Sequence, residues 1–271
     1  MKTKLGLFIL YGCFLAFACK KNGNDIPPSV TMGKIYEDDK LLAEFIYSAD
    51  KKLVRENYYE KDGSLDYGIG FVYNANGYMI WEEQFNAANK LSGKVQYFRD
   101  GNNRITKHEY NALSGSDSGK VTTRVKYDYD ADGNLVSQTW VDIVTEKPET
   151  VRELTYHKNK SLRSSSVYYY LPQKQLQWRT DYGLASDTAY AGMKSFSAYP
   201  VDFRVPEFSA TDLSFRTFNE MGIVTKEFNQ KFTNRKYDAK GYLIEQLIVE
   251  SEIIPAGLGK KRRMRYEYRL L

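Results

Sequence analysis

The chain has 271 residues, and 39 Lys and Arg against 34 Asp and Glu leave a formal charge of only +5. That mild balance points away from a polyanion binder, so no nucleic-acid partner is expected. Only two cysteines are present, too few for a disulfide framework, and aromatic residues at 15%, 23 of them tyrosine, argue against a disordered chain.

The chain opens on Met1-Lys2-Thr3-Lys4, followed by an apolar run from Leu5 to Ala18 and then polar Lys20-Lys21-Asn22. A basic start, an apolar middle and small residues before a cut make a secretory signal, residues 1–18. The run is too short to span a bilayer, which takes about 20 residues. Leu15-Ala16-Phe17-Ala18-Cys19 looks like a lipobox, which makes Cys19 the expected point of lipid attachment. Two alternatives stay open: the earlier Leu10-Tyr11-Gly12-Cys13, and an ordinary signal-peptidase site with Cys19 unmodified. Residues 19–31 then read as a flexible tether, and residues 32–271 as one domain. The implied place is the cell envelope, at the outer membrane, with its face undecided. The implied partners are the membrane, through the anchor, and a glycan or protein ligand.

Beyond the tether a short frame recurs. It is an aromatic residue, three residues, then Gly, Asn or Lys, one residue, and an aliphatic. Tyr73 to Met79, Tyr129 to Leu135 and Tyr237 to Leu243 fit it, as do Tyr59 to Leu65, Phe85 to Leu91 and Phe218 to Val224. Tyr47 to Leu53 and Tyr156 to Leu162 match with Lys51 and Lys160 at the glycine place. Asn, Asp or Ser at the second place starts a type I turn, and the fifth place needs a left-handed backbone. The frame is therefore a three-residue hairpin loop with a bulge. It predicts cross-strand pairs Tyr73 with Met79, Tyr129 with Leu135 and Tyr237 with Leu243. Early turns starting near 47, 59, 73, 85 and 97 leave room for one strand each. That spacing reads as an antiparallel meander of a dozen or more strands.

Tyr129-Asp130-Ala131-Asp132-Gly133-Asn134-Leu135 and Tyr237-Asp238-Ala239-Lys240-Gly241-Tyr242-Leu243 resemble the YD-repeat of RHS-type proteins. The looser units resemble the Tyr-x-x-x-Gly-x-Leu repeats of bacterial lipoproteins of unknown function. The resemblance implies sheet architecture and says almost nothing of chemistry. The expected fold is all-β, an antiparallel meander of tandem hairpins forming an open curved sheet.

Several motifs invite a chemical reading. Glu82-Glu83 are adjacent on a strand and so point to opposite faces, which does not suit paired-carboxylate catalysis. Gly115-Ser116-Asp117-Ser118-Gly119 has Asp where a nucleophile elbow needs Ser. Asp128-Tyr129-Asp130-Ala131-Asp132-Gly133 starts like a calcium loop, but Thr139 stands where the closing glutamate belongs, and the same residues serve as a repeat turn. His108 and His157 are the only histidines and are scattered, so no triad, metal site or cofactor is expected.

From Leu171 to Ala210 the frame lapses. Pro172, Pro200 and Pro206 fall here among seven aromatics that include Trp178, Tyr182 and Tyr199. Those rings either supply core against one sheet face or form a ligand surface, with Trp178, Tyr182 and Tyr199 the candidate contacts. Lys260-Lys261-Arg262-Arg263 reads as a loop before the last strand, usually a solvated tip and otherwise an anion contact. The function these readings support is a non-enzymatic, envelope-anchored binding or scaffold protein. The alternatives are a carboxylate-dependent hydrolase and a purely structural envelope protein.

Overall fold

A computed structural model describes residues 30–113, 117–158, 162–170, 173–183, 211–239, 243–254 and 259–270. Sixteen strands run in chain order. The first four are β1 (Val30–Glu37), β2 (Lys40–Tyr47), β3 (Leu53–Tyr59) and β4 (Leu65–Tyr73). Then come β5 (Met79–Phe85), β6 (Leu91–Arg99), β7 (Ile105–Ala112) and β8 (Val121–Tyr129). The third group is β9 (Leu135–Val141), β10 (Pro148–Tyr156), β11 (Leu162–Tyr170) and β12 (Lys174–Tyr182). The last are β13 (Asp212–Phe218), β14 (Val224–Tyr237), β15 (Leu243–Ile254) and β16 (Lys260–Leu270).

Each strand pairs antiparallel with the next, as the hairpin frame predicts. The paired residues Tyr73↔Met79, Tyr129↔Leu135 and Tyr237↔Leu243 are those expected, each beside a register shift that marks the bulge. At the fifth place of the frame, Gly77 and Gly133 have φ of 81° and 80°, and Lys51 and Asn89 reach 64° and 56°. Asp130 shows how the second place works: its carboxylate accepts from the Asn134 N–H at 2.8 Å and so braces the loop. Gly241 and Lys160 lie outside the described residues.

The open curved sheet is overturned. The meander continues until β16 pairs with β1, from Val30↔Leu270 to Glu37↔Met264, and closes a 16-strand barrel. Closure satisfies the two rows of backbone donors and acceptors that an open sheet would leave at its edges. It also surrounds one apolar face on all sides.

Three boundaries shift with it. Val30 and Thr31 belong to β1 rather than to the tether. Lys174–Tyr182 is regular strand β12, paired on both sides, so the irregular segment is shorter than the lapse of the frame suggests. Residues 184–210, with Tyr199, lie outside the described residues. The third early turn on one end begins at Arg99 rather than at 97, with Asn103 at φ 61°.

Successive turns fall on alternate ends of the barrel, so the true repeat is a hairpin pair. The β2–β3, β4–β5, β6–β7, β8–β9, β10–β11 and β14–β15 turns share one end, called the rim below. The frame aliphatics there, Leu53, Met79, Ile105, Leu135, Leu162 and Leu243, are all buried. At the opposite end, the mouth, the same frame place is not buried: Leu91 is 37% accessible, and Leu65 and Val224 are half-buried. One local motif thus meets two environments.

Tyrosines stitch the rim. The β3–β4, β7–β8 and β9–β10 ladders end at Arg55↔Gly70, Lys107↔Lys126 and Ser137↔Glu153, two residues short of the rim. The carbonyls beyond are taken by the next tyrosine of the same rim. Tyr73 Oη donates to the Leu53 carbonyl at 2.7 Å, Tyr129 to Ile105 at 3.0 Å and Tyr156 to Leu135 at 2.7 Å. Tyr268 does the same for Leu243 at 2.7 Å, and Arg99 Nη2 reaches the Met79 carbonyl at 3.3 Å. The frame aromatic therefore has two jobs: pairing across its own turn, and capping a backbone acceptor one hairpin earlier.

Candidate functional site

Directly paired residues share a face of the sheet, so the register sorts inner from outer wall. The inner wall is apolar around β1–β5 and β13–β16, where Met32, Phe45, Phe71, Phe232 and Tyr266 gather. A second cluster on β7–β11 holds Ile105, Val125, Leu135 and Leu154. Tyr97 on β6 and Tyr182 on β12 pack against both.

Below the rim aliphatics runs a buried polar belt. Three residues after Leu53, Met79, Ile105, Leu135, Leu162 and Leu243 come Glu56, Glu82, His108, Gln138, Ser165 and Gln246. All but His108 are among the buried polar residues. Glu56 accepts from Tyr58 Oη at 2.8 Å, and Glu82 accepts from Tyr97 Oη at 2.7 Å and Gln84 Nε2 at 3.3 Å. His108 Nδ1 lies 2.6 Å from Tyr127 Oη, and Gln246 Nε2 donates to Tyr266 Oη at 2.8 Å. Burial raises the Glu82 carboxyl above its ordinary range, against the two hydrogen bonds that lower it. Burial also holds His108 down to about 4, so its imidazole is neutral at pH 7. Glu56 and Glu82 sit on β3 and β5, so their backbones are roughly 10 Å apart with β4 between. Both are shut off from solvent.

The belt gives way to half-exposed rings towards the mouth: Tyr67, Tyr110, Trp140, Tyr169, Trp178 and Phe215. Tyr67 stacks on Tyr58 with centroids 4.5 Å apart, and Phe215 stacks on Phe228 at 5.0 Å. Tyr169 meets Trp178 edge-on at 5.8 Å and 83°. Polar groups join them. Arg262 Nη1 donates to Glu37 at 3.1 Å, and Gln230 Nε2 donates to Glu250 at 2.7 Å.

The outer wall has the opposite character. Ion pairs lace it across strands: Lys34 with Glu44 at 3.6 Å, Lys94 with Glu83 at 2.8 Å, Arg124 with Glu109 at 2.7 Å and Arg216 with Glu227 at 2.9 Å. Its aromatics carry cations over their faces. Arg55 lies 4.3 Å from the Phe85 ring, Lys107 4.1 Å from Phe98, Lys174 4.3 Å from Tyr168 and Arg265 3.9 Å from Tyr36. Exposed pairs of this kind each contribute little to stability, at most about 1 kcal/mol. What they show is that the outer wall is the charged one and the inner wall the apolar one.

The structure separates the residues singled out in the sequence. Trp178 lies on the inner wall near the mouth. Tyr182 is four residues further along β12, roughly 13 Å away, and packs into the two apolar clusters, so the two rings do not form one site. Tyr199 and Cys19 lie outside the described residues. Glu82 and Glu83 take opposite faces, as the strand reading requires. Asp130 is spent on its turn, its pKa lowered first by the Asn134 side chain. His157 Nε2 contacts the Tyr182 carbonyl at 3.2 Å, far from His108 in the strand order. Lys260 to Arg263 is no loop but the start of β16, and Arg262 and Arg263 bond to Glu37 and Asp39. The polar belt was missed in the sequence, although its three-residue offset from each frame aliphatic is there to be read.

No family model matches the chain, and no curated protein does, so the YD-repeat resemblance rests on the hairpin frame alone. Solved structures do match in fold. A porin-like protein from Bacteroides uniformis ATCC 8492 superposes with a TM-score of 0.50 at 11% identity, covering 88% of this chain and 96% of its own. A porin-like protein from Bacteroides vulgatus ATCC 8482 also gives 0.50, at 12% identity, covering 90% and 100%. At such identities the likeness concerns the barrel and nothing finer.

Proposed function

We propose that this chain is a lipoprotein, tethered through Cys19 at the outer membrane, whose barrel stands in water and acts as a non-enzymatic binding or scaffold protein. The observation that supports this reading is the polarity of the wall. A membrane-spanning barrel turns an apolar band about 25 Å tall towards lipid and keeps polar residues inside. Here cross-strand ion pairs line the outside, and the largest apolar clusters are inside. Charged side chains such as Lys94 and Arg124 at mid-wall would each cost about 2–4 kcal/mol against lipid.

Val30 enters the barrel beside Leu270, at the rim. Residues 19–29 would reach at most about 40 Å when fully extended. The rim therefore stays close to the anchoring membrane, and the mouth is free to meet a ligand. The hydrolase alternative is disfavoured because Glu56 and Glu82 are both buried and each is engaged by a tyrosine.

Two measurements test the proposal. Cells fed a clickable fatty acid should label the wild-type protein and not the Cys19→Ala variant; equal labelling of both would remove Cys19 as the anchor. The protein freed of its lipid should remain monodisperse in buffer without detergent and partition into the aqueous phase of a detergent phase separation. Aggregation in buffer with partition into detergent would mean that the outer wall faces lipid after all.

A further inference from the structure

We propose that the inner wall of the mouth across β9–β12 is a binding site for an acidic oligosaccharide, with Arg152 holding the acid group and Trp140, Tyr169 and Trp178 the sugar faces. This rests on the reading that the barrel stands in water with its mouth open.

Arg152 carries the argument. It pairs with Gln138 on one side and Val167 on the other, both buried, which places it on the inner wall. Its only hydrogen bond among the described residues is Nη1 to Gln138 Oε1, at a long 3.5 Å. Its Nε is buried with no hydrogen-bond partner. Among the described residues it meets no carboxylate, whereas Arg124, Arg179, Arg216, Arg262 and Arg265 each do. A guanidinium is charged at any physiological pH and offers a flat fork of donors matched to a carboxylate or sulfate. Holding one half-buried without an anion is costly, and an incoming acid group removes that cost.

The surroundings specify what bears the acid. The Arg152 guanidinium lies over the Trp140 ring at 6.0 Å. Tyr169 and Trp178 flank it on the next two strands, meeting near perpendicular, so at least one of the two rings keeps both broad faces clear of the other. Sugar rings present C–H faces that lie flat on such surfaces, with hydroxyls left at the edge. From β9 to β12 is three strand spacings, about 14 Å, which suits an oligosaccharide rather than a single small anion. All four side chains are half-buried, and Trp140 and Tyr169 are next to the turns that form the mouth.

The third tryptophan, Trp81, is on the outer wall under Lys94, so ligand-induced changes in emission report on Trp140 and Trp178. The purified protein in detergent-free buffer is titrated with oligogalacturonate and with a chondroitin sulfate oligosaccharide, with maltotriose as the neutral counterpart. Calorimetry and tryptophan emission should detect at least one acidic ligand, weakened by salt, and bound at least tenfold more tightly than maltotriose. Arg152→Gln should abolish that preference, and Trp178→Ala should weaken the acidic ligand at least tenfold. Arg152→Gln keeps a partner for Gln138, and its denaturation midpoint checks that the fold survives. No binding of either acidic ligand by soluble, folded protein would overturn the site while leaving the tethered, water-borne barrel intact. Binding unchanged in Arg152→Gln would overturn it equally.

Discussion

Gly133 isolates the backbone requirement of the hairpin frame from every other effect. Its φ is +80°, and a Cβ built there meets no atom within 4 Å. The cost of substitution is therefore strain in the left-handed region rather than a clash. For alanine that strain is about 1 kcal/mol, and for β-branched valine about 1–2 kcal/mol. Asparagine tolerates the region best after glycine, and Asn89 and Asn103 hold the same frame place at 56° and 61°. Gly133→Asn should thus cost only a few tenths of a kcal/mol. Urea denaturation of the glycine, asparagine, alanine and valine proteins reads this order directly, provided the slope of the transition is unchanged. A valine midpoint equal to that of glycine, or asparagine as costly as valine, would refute the turn geometry.

The two ends of the barrel should respond differently to the same change. Leu135→Ala at the buried rim should cost about 2–5 kcal/mol, and Leu91→Ala at the exposed mouth within about 0.5 kcal/mol; similar losses would contradict the assignment of ends. Stability should also fall on acidification because burial holds His108 at about 4, below the ordinary 6.5. As pH drops through 6.5 the unfolded chain takes up the proton first, so stability present above pH 6.5 is lost down to about pH 4, about 2 kcal/mol of it by pH 5. His108→Gln should remove that part of the slope, and a slope like that of the wild type would show that another group carries it.

Local structure was legible where a residue type has one geometric use. The frame located the turns, the bulges and the closing pairs such as Tyr129↔Leu135, because a left-handed fifth place and an aromatic–aliphatic pair are both visible in the sequence. It placed the turn at Arg99 two residues early because arginine replaces the aromatic there, although Asp100, Asn103 and Ile105 hold their places. It treated Lys174–Tyr182 as irregular because no frame precedes it, although Gln175-Leu176-Gln177-Trp178 alternates as a strand does. Closure was not legible at all. Each frame reports one turn, and nothing in β16 declares that its free edge meets β1. The polar belt needed the same global knowledge. Glu56 in Leu53-Val54-Arg55-Glu56 looks like a surface residue until the bulge at Tyr47 fixes which side faces in.

The bulges also set which wall of the barrel receives the apolar side chains. Side chains alternate along a strand with period two, so a shift of one residue moves every apolar side chain to the other wall. In this chain the turns insert one extra residue each at Tyr47, Tyr59, Tyr73, Phe85 and Tyr129, restoring the same inward phase strand after strand. Phe45, Phe71 and Tyr127, two residues before a frame aromatic, all point inward in consequence. The backbone path depends on strand pairing and closure, whereas the solvent it suits depends on that phase. A likeness in backbone therefore carries no information about which wall is charged and which is apolar. The pairing of Glu83 with Lys94 and the burial of Glu82 beside it do carry it.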